Sequence, residues 1–407
     1  MNGVVIVGAS QAGLQAAVAL RDSGYGEPIT LVGQEDHLPY QRPPLSKGFV
    51  TQKVSSDQLS LRNAAFYEQH DIRLILGQTV DRVDRRECTA VTRTGHSFAF
   101  DSLVLTVGSA PRIVPIAGGQ LEGVLSLRTV DDAEQIVKTL GECERLVVLG
   151  GGFIGLEIAA TARSLGLDVT LVEAARSLMG RAVSAGVSEF FFDAHRSRGL
   201  DIRLGETAAE IMGDSRGAVT GVRLSSGEIL SATAVLMGVG AVPNTALARG
   251  LGLETDAGVL ADPHARTSDD VVLAAGDCAE HRDLFGGRML LTSVQNAIDQ
   301  ATVAAKTIVG DLSQPYAAIP WFWSDQYEFK LQMAGLPQHH DRVVTRGVPA
   351  DGAFTQFHLR DGRLVWAESV SKPGEHVFAR RLIASGALID PGRLADLSVP
   401  MREVALA

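Results

Sequence analysis

Val4-Val5-Ile6-Val7-Gly8-Ala9-Ser10-Gln11-Ala12-Gly13 is an apolar strand that runs straight into a glycine turn and then into a helix. Gly8 lets the chain turn tightly off the strand, and Gly13 lets the helix press on the sheet. In that arrangement the helix N-terminal amides and dipole hold a pyrophosphate. Ser10 replaces the middle glycine, the one that lets a phosphate approach the backbone, and a small serine is the mildest such departure. Taken alone the stretch is ambiguous, because glycine-rich strand-to-helix turns also serve packing. The ambiguity is lifted by a second copy. Leu146-Val147-Val148-Leu149-Gly150-Gly151-Gly152-Phe153-Ile154-Gly155 repeats the pattern with all three glycines of the fingerprint, Gly150, Gly152 and Gly155. Each copy is followed by a helix-compatible run and a second strand, at residues 29–32 and 168–172. At the end of each strand stands the place where an acid grips a ribose diol: Gln34 or Glu35 in the first copy, Glu173 in the second. The expectation is an α/β protein with two dinucleotide sites, most simply one for FAD and one for NAD(P)H.

Composition agrees. A chain of 407 residues exceeds one ordinary domain and suffices for two or three, each with a full core. A formal net charge of −10 argues against nucleic acid as a main partner. No apolar run approaches membrane-spanning length, and the N-terminus opens with a core strand instead of a cleavable leader, so no membrane partner and a cytoplasmic location are expected. Cys88, Cys143 and Cys278 are far apart in sequence. With no Cys-x-x-Cys pair, neither a metal knuckle nor a local redox disulfide can be drawn, and no metal site is expected. A flavin without a neighbouring disulfide must deliver its electrons to something from outside.

The intervening segments suggest an inserted-domain layout. Leu38-Pro39-Tyr40-Gln41-Arg42-Pro43-Pro44-Leu45-Ser46-Lys47 is forced into an extended path by its prolines, with Lys47 projecting from the start of a following helix. A solvated loop is the usual explanation of such a segment. Near a cofactor it would instead set a cation beside the isoalloxazine ring and favour the anionic reduced flavin. The apolar strand at 102–107, closed by Gly108 and followed by Pro111, marks a boundary. The matching strand at 234–237 runs on to Gly240 and Pro243 and marks the other. We therefore read residues 1–111 and 241–319 as one discontinuous domain, 112–240 as an inserted domain, and 320–407 as a C-terminal α+β domain. A strand at 270–275 ends in Gly276-Asp277, which places a carboxylate against ribityl hydroxyls, although an aspartate after a strand is more often a helix cap. Residues 293–309 form a small-residue helix whose amino end would meet the flavin ring. Trp321-Phe322-Trp323-Ser324-Asp325-Gln326-Tyr327 is read as a core strand whose two tryptophans point to different faces, leaving at least one toward a site.

The order Gly-x-Ser-x-x-Gly, Arg-Pro-Pro-Leu-Ser-Lys, Gly-x-Gly-x-x-Gly-Leu-Glu, Gly-Asp-Cys-Ala and Pro-Trp-Phe-Trp-Ser-Asp-Gln-Tyr resembles the NADH-dependent ferredoxin reductases of bacterial oxygenase systems, over about residues 3–400. Lys47 in its proline motif and the tryptophan motif are the specific parts. The resemblance implies a glutathione-reductase-like fold, with an FAD domain in two segments, an NADH domain and a C-terminal domain covering the flavin. It implies FAD contacts from Gly8, Ser10, Ala12, Gly13, Gln34 or Glu35, Arg42, Lys47, Val80, Arg128, Asp277 and Val294, with Trp323 near the ring. The family commonly has an acid where Gln34 falls, which favours Glu35. NADH would meet Gly150, Gly152, Phe153, Ile154, Gly155, Glu173 and Gly240. Glu157 would pair with Lys47 close to flavin N5; as a bare helix residue it reads as an exposed acid near the amino end, favoured by the dipole.

The activity so implied carries electrons from NADH through non-covalent FAD, one at a time, to a [2Fe-2S] ferredoxin that feeds a haem-thiolate monooxygenase or Rieske dioxygenase, in a monomer or weak homodimer. Hydride transfer between stacked rings needs no protein nucleophile, so Lys47 and Glu157 are expected to tune charge. Other acceptors, namely rubredoxin, dioxygen or a quinone, and a slow NADH-sensing flavoprotein are the alternatives. Glu173 favours NADH over NADPH, with Arg176 nearby as the residue that would accept a 2′-phosphate. Arg342, Arg346, Lys372, Arg380 and Arg381 are the basic residues expected to meet an acidic partner, against the plainer reading of scattered solvated charges.

Overall fold

Val4–Val7 is buried at every position, which for a strand means that both faces of its sheet are covered. In the computed structural model, which describes residues 2–282 and 287–406, this strand is the centre of a five-stranded parallel sheet. The order is Val272–Ala274, Ser102–Leu105, Val4–Val7, Ile29–Val32 and Ile72–Ile75, with Val4 aligned to Ile29 on one side and to Ser102 on the other. Successive side chains of a strand point to opposite faces. Accordingly Val4 and Ile6 join a core with Leu14, Ala17 and Leu20 of the helix Gln11–Asp22 and Ala301 and Ala304 of the helix Val294–Ile308. Val5 and Val7 join another core with Val80, Ala90 and Phe98 of a small antiparallel sheet. Alanines let the two helices lie close, and Gln15 Nε2 donates to Thr302 Oγ1 across them at 3.2 Å.

The second glycine turn sits in a sheet built on the same plan. Its order is Asp201–Leu204, Asp168–Glu173, Arg145–Leu149, Ala234–Met237 and Val124–Leu125, all parallel. Leu146 and Val148 face a helical core with Ile136, Leu156 and Phe191, while Val147 and Leu149 face an antiparallel sheet through Ile211, Val222 and Leu224. The fold class is therefore the one expected: two Rossmann-type sheets, each with helices on one face and a small antiparallel sheet on the other.

By contacts the chain divides into two units. One comprises the residues up to Gln41, Ser56–Ala110 and Ala241–Pro320; the other comprises Arg42–Ser55, Pro111–Gly240 and Trp321–Ala407. Within the second unit the C-terminal segment forms an antiparallel sheet ordered Trp321–Gln326, Phe329–Gly335, Arg363–Val370, Ala353–Arg360 and Arg342–Val348, covered by the helix Pro373–Ser385. It shares a core with the nucleotide sheet of that unit. Leu331, Met333, Phe354 and Val370 lie in the same cluster as Leu156 and Phe191, and Phe190 sets its ring edge against Phe329 and Phe354 at 5.0 and 5.3 Å. Val50, from the proline-rich segment, is part of that cluster too.

Phe191 is fully buried at the centre of this shared core. Phe191→Ala removes a large side chain that the surrounding sheet and helices cannot collapse to replace, and is expected to cost about 3 to 5 kcal/mol. Urea unfolding followed by near-ultraviolet circular dichroism measures it; a loss below 1 kcal/mol would mean the cluster tolerates the void.

Candidate active site

Each glycine turn is held by backbone geometry. Gly8 and Gly150 have φ of +117° and +105°, a region that side-chain-bearing residues avoid. A Cβ on Gly13 would lie 2.0 Å from the Gly8 carbonyl oxygen, and one on Gly155 would lie 2.1 Å from that of Gly150. These four glycines are therefore required by the turn itself. Gly152 is different. Its φ of −80° suits any residue, and a Cβ there would meet nothing nearer than the Gly238 oxygen at 4.0 Å. The protein's own packing does not demand a glycine at that position; open space beside the backbone is what a pyrophosphate needs.

The helix starts agree. Thr129, Ser184 and Ser293 cap their helices by accepting a first-turn amide on a side-chain oxygen. Neither Ser10, which precedes Gln11–Asp22, nor Gly152, which precedes Phe153–Ser164, makes such a bond, and neither helix has an acid in its first turn. The two glycine-turn helices thus keep their amino-end donors and dipole for an anion from outside. In this respect the chain fits a dinucleotide at each turn.

The strand-end acids are already engaged. Glu173 Oε2 accepts from the Gly151 amide and Oε1 from the Ala175 amide, each at 2.7 Å, so the carboxylate is fixed against its own glycine turn. Arg176 is exposed. Glu35 accepts from the Tyr40 hydroxyl, while Gln34 is exposed. Asp277 does not cap a helix: the strand Ala279–Arg282 follows it, and its Oδ2 accepts from Ser109 Oγ at 3.2 Å. Gly276, with φ of +82°, would place a Cβ 3.0 Å from that of Ala12 and 3.8 Å from that of Ala297, so the strand end, the first helix start and the amino end of Val294–Ile308 converge there. Val294 is the first residue of that helix, and Val80 is buried in the antiparallel sheet. Arg128 gives its amide to Asp132 Oδ2 at 2.8 Å and its carbonyl accepts Arg42 Nη1 at 2.5 Å. Gly240, at φ of +107°, accepts the Arg112 amide at 2.9 Å. Phe153 tilts against Phe322 at 4.8 Å, and Ile154 is exposed.

Lys47 does not start a helix. It ends the short 3-10 turn Pro43–Ser46, because proline favours the first turn position and fixes that turn upstream of the lysine. From there Nζ reaches Glu157 Oε2 at 2.9 Å. Glu157 is no exposed helix acid: it is 3 % accessible on the helix Phe153–Ser164. Ser46 Oγ donates to Oε2 at 2.5 Å and Ser324 Oγ to Oε1 at 2.7 Å, so every side of the carboxylate is met by a donor. Lys47 and Glu157 are the residues expected from sequence; Ser46 and Ser324 are added by the structure. Both lie inside the motifs quoted above, where a serine beside a charged residue was the only available signal.

Two further expectations are corrected. Trp321 and Trp323 are two residues apart in one strand, so the pleat puts them on the same face, with ring centroids 5.5 Å apart and planes inclined by 30°. Arg346 is 5 % accessible, paired to Glu375 at 3.2 Å, and donates to the carbonyls of Leu394, Asp396 and Val399. It braces the C-terminal segment and is not available to a partner. Arg380 lies over the Trp321 ring at 4.9 Å, while Arg342 and Arg381 are exposed.

Fold and site together define a dinucleotide-dependent oxidoreductase with two nucleotide turns. The family model of pyridine nucleotide-disulphide oxidoreductases matches residues 2–367, and the chain belongs to that family. It is an oxidoreductase that uses FAD and NAD(H). Cys88, Cys143 and Cys278 are all free, so the disulphide of the family name has no counterpart among them. The chain is 42 % identical to rhodocoxin reductase of Rhodococcus erythropolis over 401 residues, 98 % of this chain and 93 % of that one. It is 38 % identical to putidaredoxin reductase of Pseudomonas putida over 411 residues, 100 % and 97 % of the two chains. Among solved structures, the ferredoxin reductase for the CYP199A2 system from Rhodopseudomonas palustris superimposes with a TM-score of 0.96 at 39 % identity, covering 100 % of both chains. The covalent putidaredoxin reductase–putidaredoxin complex gives 0.95 at 37 % identity, covering 99 % of this chain and 97 % of that one.

Burial lowers the His195 imidazole from 6.5 to about 4, against a hydrogen bond with Gln326 that raises it and with a smaller lowering by Arg198. The unfolded chain therefore binds a proton that the folded chain refuses. Stability attached to this group is complete above pH 6.5 and is lost as pH falls toward 4. The loss reaches about 3 kcal/mol at the acid end. Unfolding free energy measured from pH 7 to pH 4.5 should fall in the wild type and fall less steeply in His195→Gln; parallel profiles would show that other groups govern the acid limb.

Proposed function

We propose that this oxidoreductase takes hydride from NADH at the second glycine turn, holds FAD at the first, and passes electrons singly to an acidic [2Fe-2S] ferredoxin that supplies a haem-thiolate monooxygenase or a Rieske dioxygenase. The observation that carries the reading is the ion pair between half-buried Lys47 and buried Glu157 in a chain with two uncapped nucleotide-turn helices. Bound FAD supplies the exchange between a two-electron hydride donor and a one-electron iron–sulfur acceptor. The chain's own residues do the rest. Helix amino ends would hold phosphates, Glu35 and Glu173 would accept from ribose hydroxyls, and Asp277 would accept from the ribityl chain. The Lys47 ammonium would stand beside the flavin ring, with Glu157 holding that lysine in place. A ferredoxin partner is what the relatives' names and the putidaredoxin complex support. No helix among the described residues is long and apolar enough to cross a membrane. We place the protein in the cytoplasm as a monomer or weak homodimer.

Reduction of cytochrome c by NADH should depend on an added cognate ferredoxin. Equal rates without it would favour dioxygen or a quinone as acceptor.

NADH is the preferred donor. A 2′-phosphate would meet the Glu173 carboxylate, and the repulsion plus the lost hydrogen bond amount to about 2 to 4 kcal/mol, or about thirty- to a thousandfold in kcat/KM. Glu173→Ala should narrow that ratio. Equal kcat/KM for NADH and NADPH in the wild type would show that Arg176 governs the pocket instead.

Docking of an acidic ferredoxin on exposed arginines makes its association sensitive to salt. KM for ferredoxin should rise with ionic strength and rise further in Arg342→Glu/Arg381→Glu, while NADH-to-ferricyanide turnover, which needs no docking, stays level. A flat salt response with unchanged KM removes these arginines from the interface.

A further inference from the structure

Glu157 is the end of a longer chain of hydrogen bonds. Ser324 Oγ donates to Glu157 Oε1 at 2.7 Å, Gln326 Nε2 donates to Ser324 Oγ at 3.2 Å, and Gln326 Oε1 lies 2.8 Å from His195 Nε2. Ser324, Gln326 and His195 are all fully buried. The directions are set from the carboxylate outward. An ionised carboxylate accepts only, so Ser324 must donate to it, and the serine oxygen is then the acceptor for the glutamine amide. The amide nitrogen also lies 3.6 Å from Met179 Sδ, which fits N and not O at that position. Gln326 Oε1 therefore faces His195, whose Nε2 must carry the proton. His195 Nδ1 is buried without a hydrogen-bond partner, which a bare ring nitrogen tolerates better than an N–H. Burial keeps the ring neutral at neutral pH, in keeping with a single ring proton. All donors along the chain thus point toward Glu157.

We propose that Ser324, Gln326 and His195 are positioning residues for the known reaction, a one-directional relay that orients the Glu157 carboxylate and through it the Lys47 ammonium. Aligned hydrogen bonds in a low-dielectric interior polarise one another, so the relay strengthens the acceptor end. Lys47 has two of its three donors committed, to Glu157 Oε2 and to the Pro43 carbonyl at 3.3 Å. Its position is therefore decided by where Oε2 stands. Ser46 supports the same oxygen, and Thr161 Oγ1 in turn donates to the Ser46 carbonyl at 3.1 Å. The relay holds the opposite oxygen, and with both held the carboxylate cannot rotate. This inference rests on the reading that Lys47 lies beside the flavin.

The test compares Ser324→Ala, which removes one hydroxyl with little change in volume, and Gln326→Leu, which keeps the shape and removes the amide, with Lys47→Met as the reference. Two quantities are read in purified protein, neither of them turnover: the flavin midpoint potential, and the His195 ring tautomer by long-range nitrogen–proton NMR. Lys47→Met should change the oxidised-to-reduced ratio at fixed potential by about tenfold, or about 30 mV for a two-electron couple. Both relay variants should move it in the same direction by about threefold. The wild type should show the Nε2–H tautomer, and Gln326→Leu should lose that preference. If Lys47→Met shifts the potential and neither relay variant does, the relay is only structural and the inference is overturned. An Nδ1–H tautomer in the wild type overturns it as well. If Lys47→Met itself leaves the potential in place, Lys47 is not beside the flavin, and its assignment as the flavin-side cation falls together with the relay.

Discussion

A carboxylate taken out of water must find donors for both oxygens or give up its charge, and Glu157 is the place where this chain meets that constraint. Its partners come from segments far apart in sequence: Ser46 and Lys47 from the proline-rich stretch, Ser324 from the C-terminal sheet, and Glu157 itself from the helix that the second glycine turn begins. Removing any one leaves a buried charge short of a donor. The second unit is therefore tied together by electrostatics as well as by the apolar cluster that runs from Val50 through Phe191 to Phe354.

The two nucleotide sheets show how one local rule generates a repeated architecture. A buried parallel strand has no polar face, so its alternate residues must be covered from both sides. Val4 and Ile6 with their helices, and Val5 and Val7 with their antiparallel sheet, are matched by Leu146 and Val148 and by Val147 and Leu149. The helix starts differ as well. Thr129, Ser184 and Ser293 cap their helices with a side-chain oxygen, whereas no side chain caps the two helices that follow the glycine turns, whose amino-end donors stay open to an anion.

Much of this is legible in the sequence itself, because strand, glycine turn and helix are local in sequence and their chemistry is carried by the backbone. The duplicated turn at Gly8 and Gly150, the strand-end Glu173, the Gly-Asp at 276–277 and the absence of a cysteine pair led to an oxidoreductase with two dinucleotide sites. The ferredoxin-reductase relationship followed from the order of short motifs, and full-length relatives bear it out.

What only the tertiary structure decided concerns side chains whose partners lie far away in the chain. Arg346 looked like surface charge because its carbonyl partners, at 394, 396 and 399, are about fifty residues downstream. Trp321 and Trp323 looked divergent until the strand pleat put both on one face. The link from Ser324 through Gln326 to His195 has no counterpart in the sequence, since a buried hydrogen-bond chain has no sequence period and appears only when a strand and a helix more than a hundred residues apart are packed together. Backbone chemistry repeats along a sequence and can be read there; the burial of a charge depends on what folds over it.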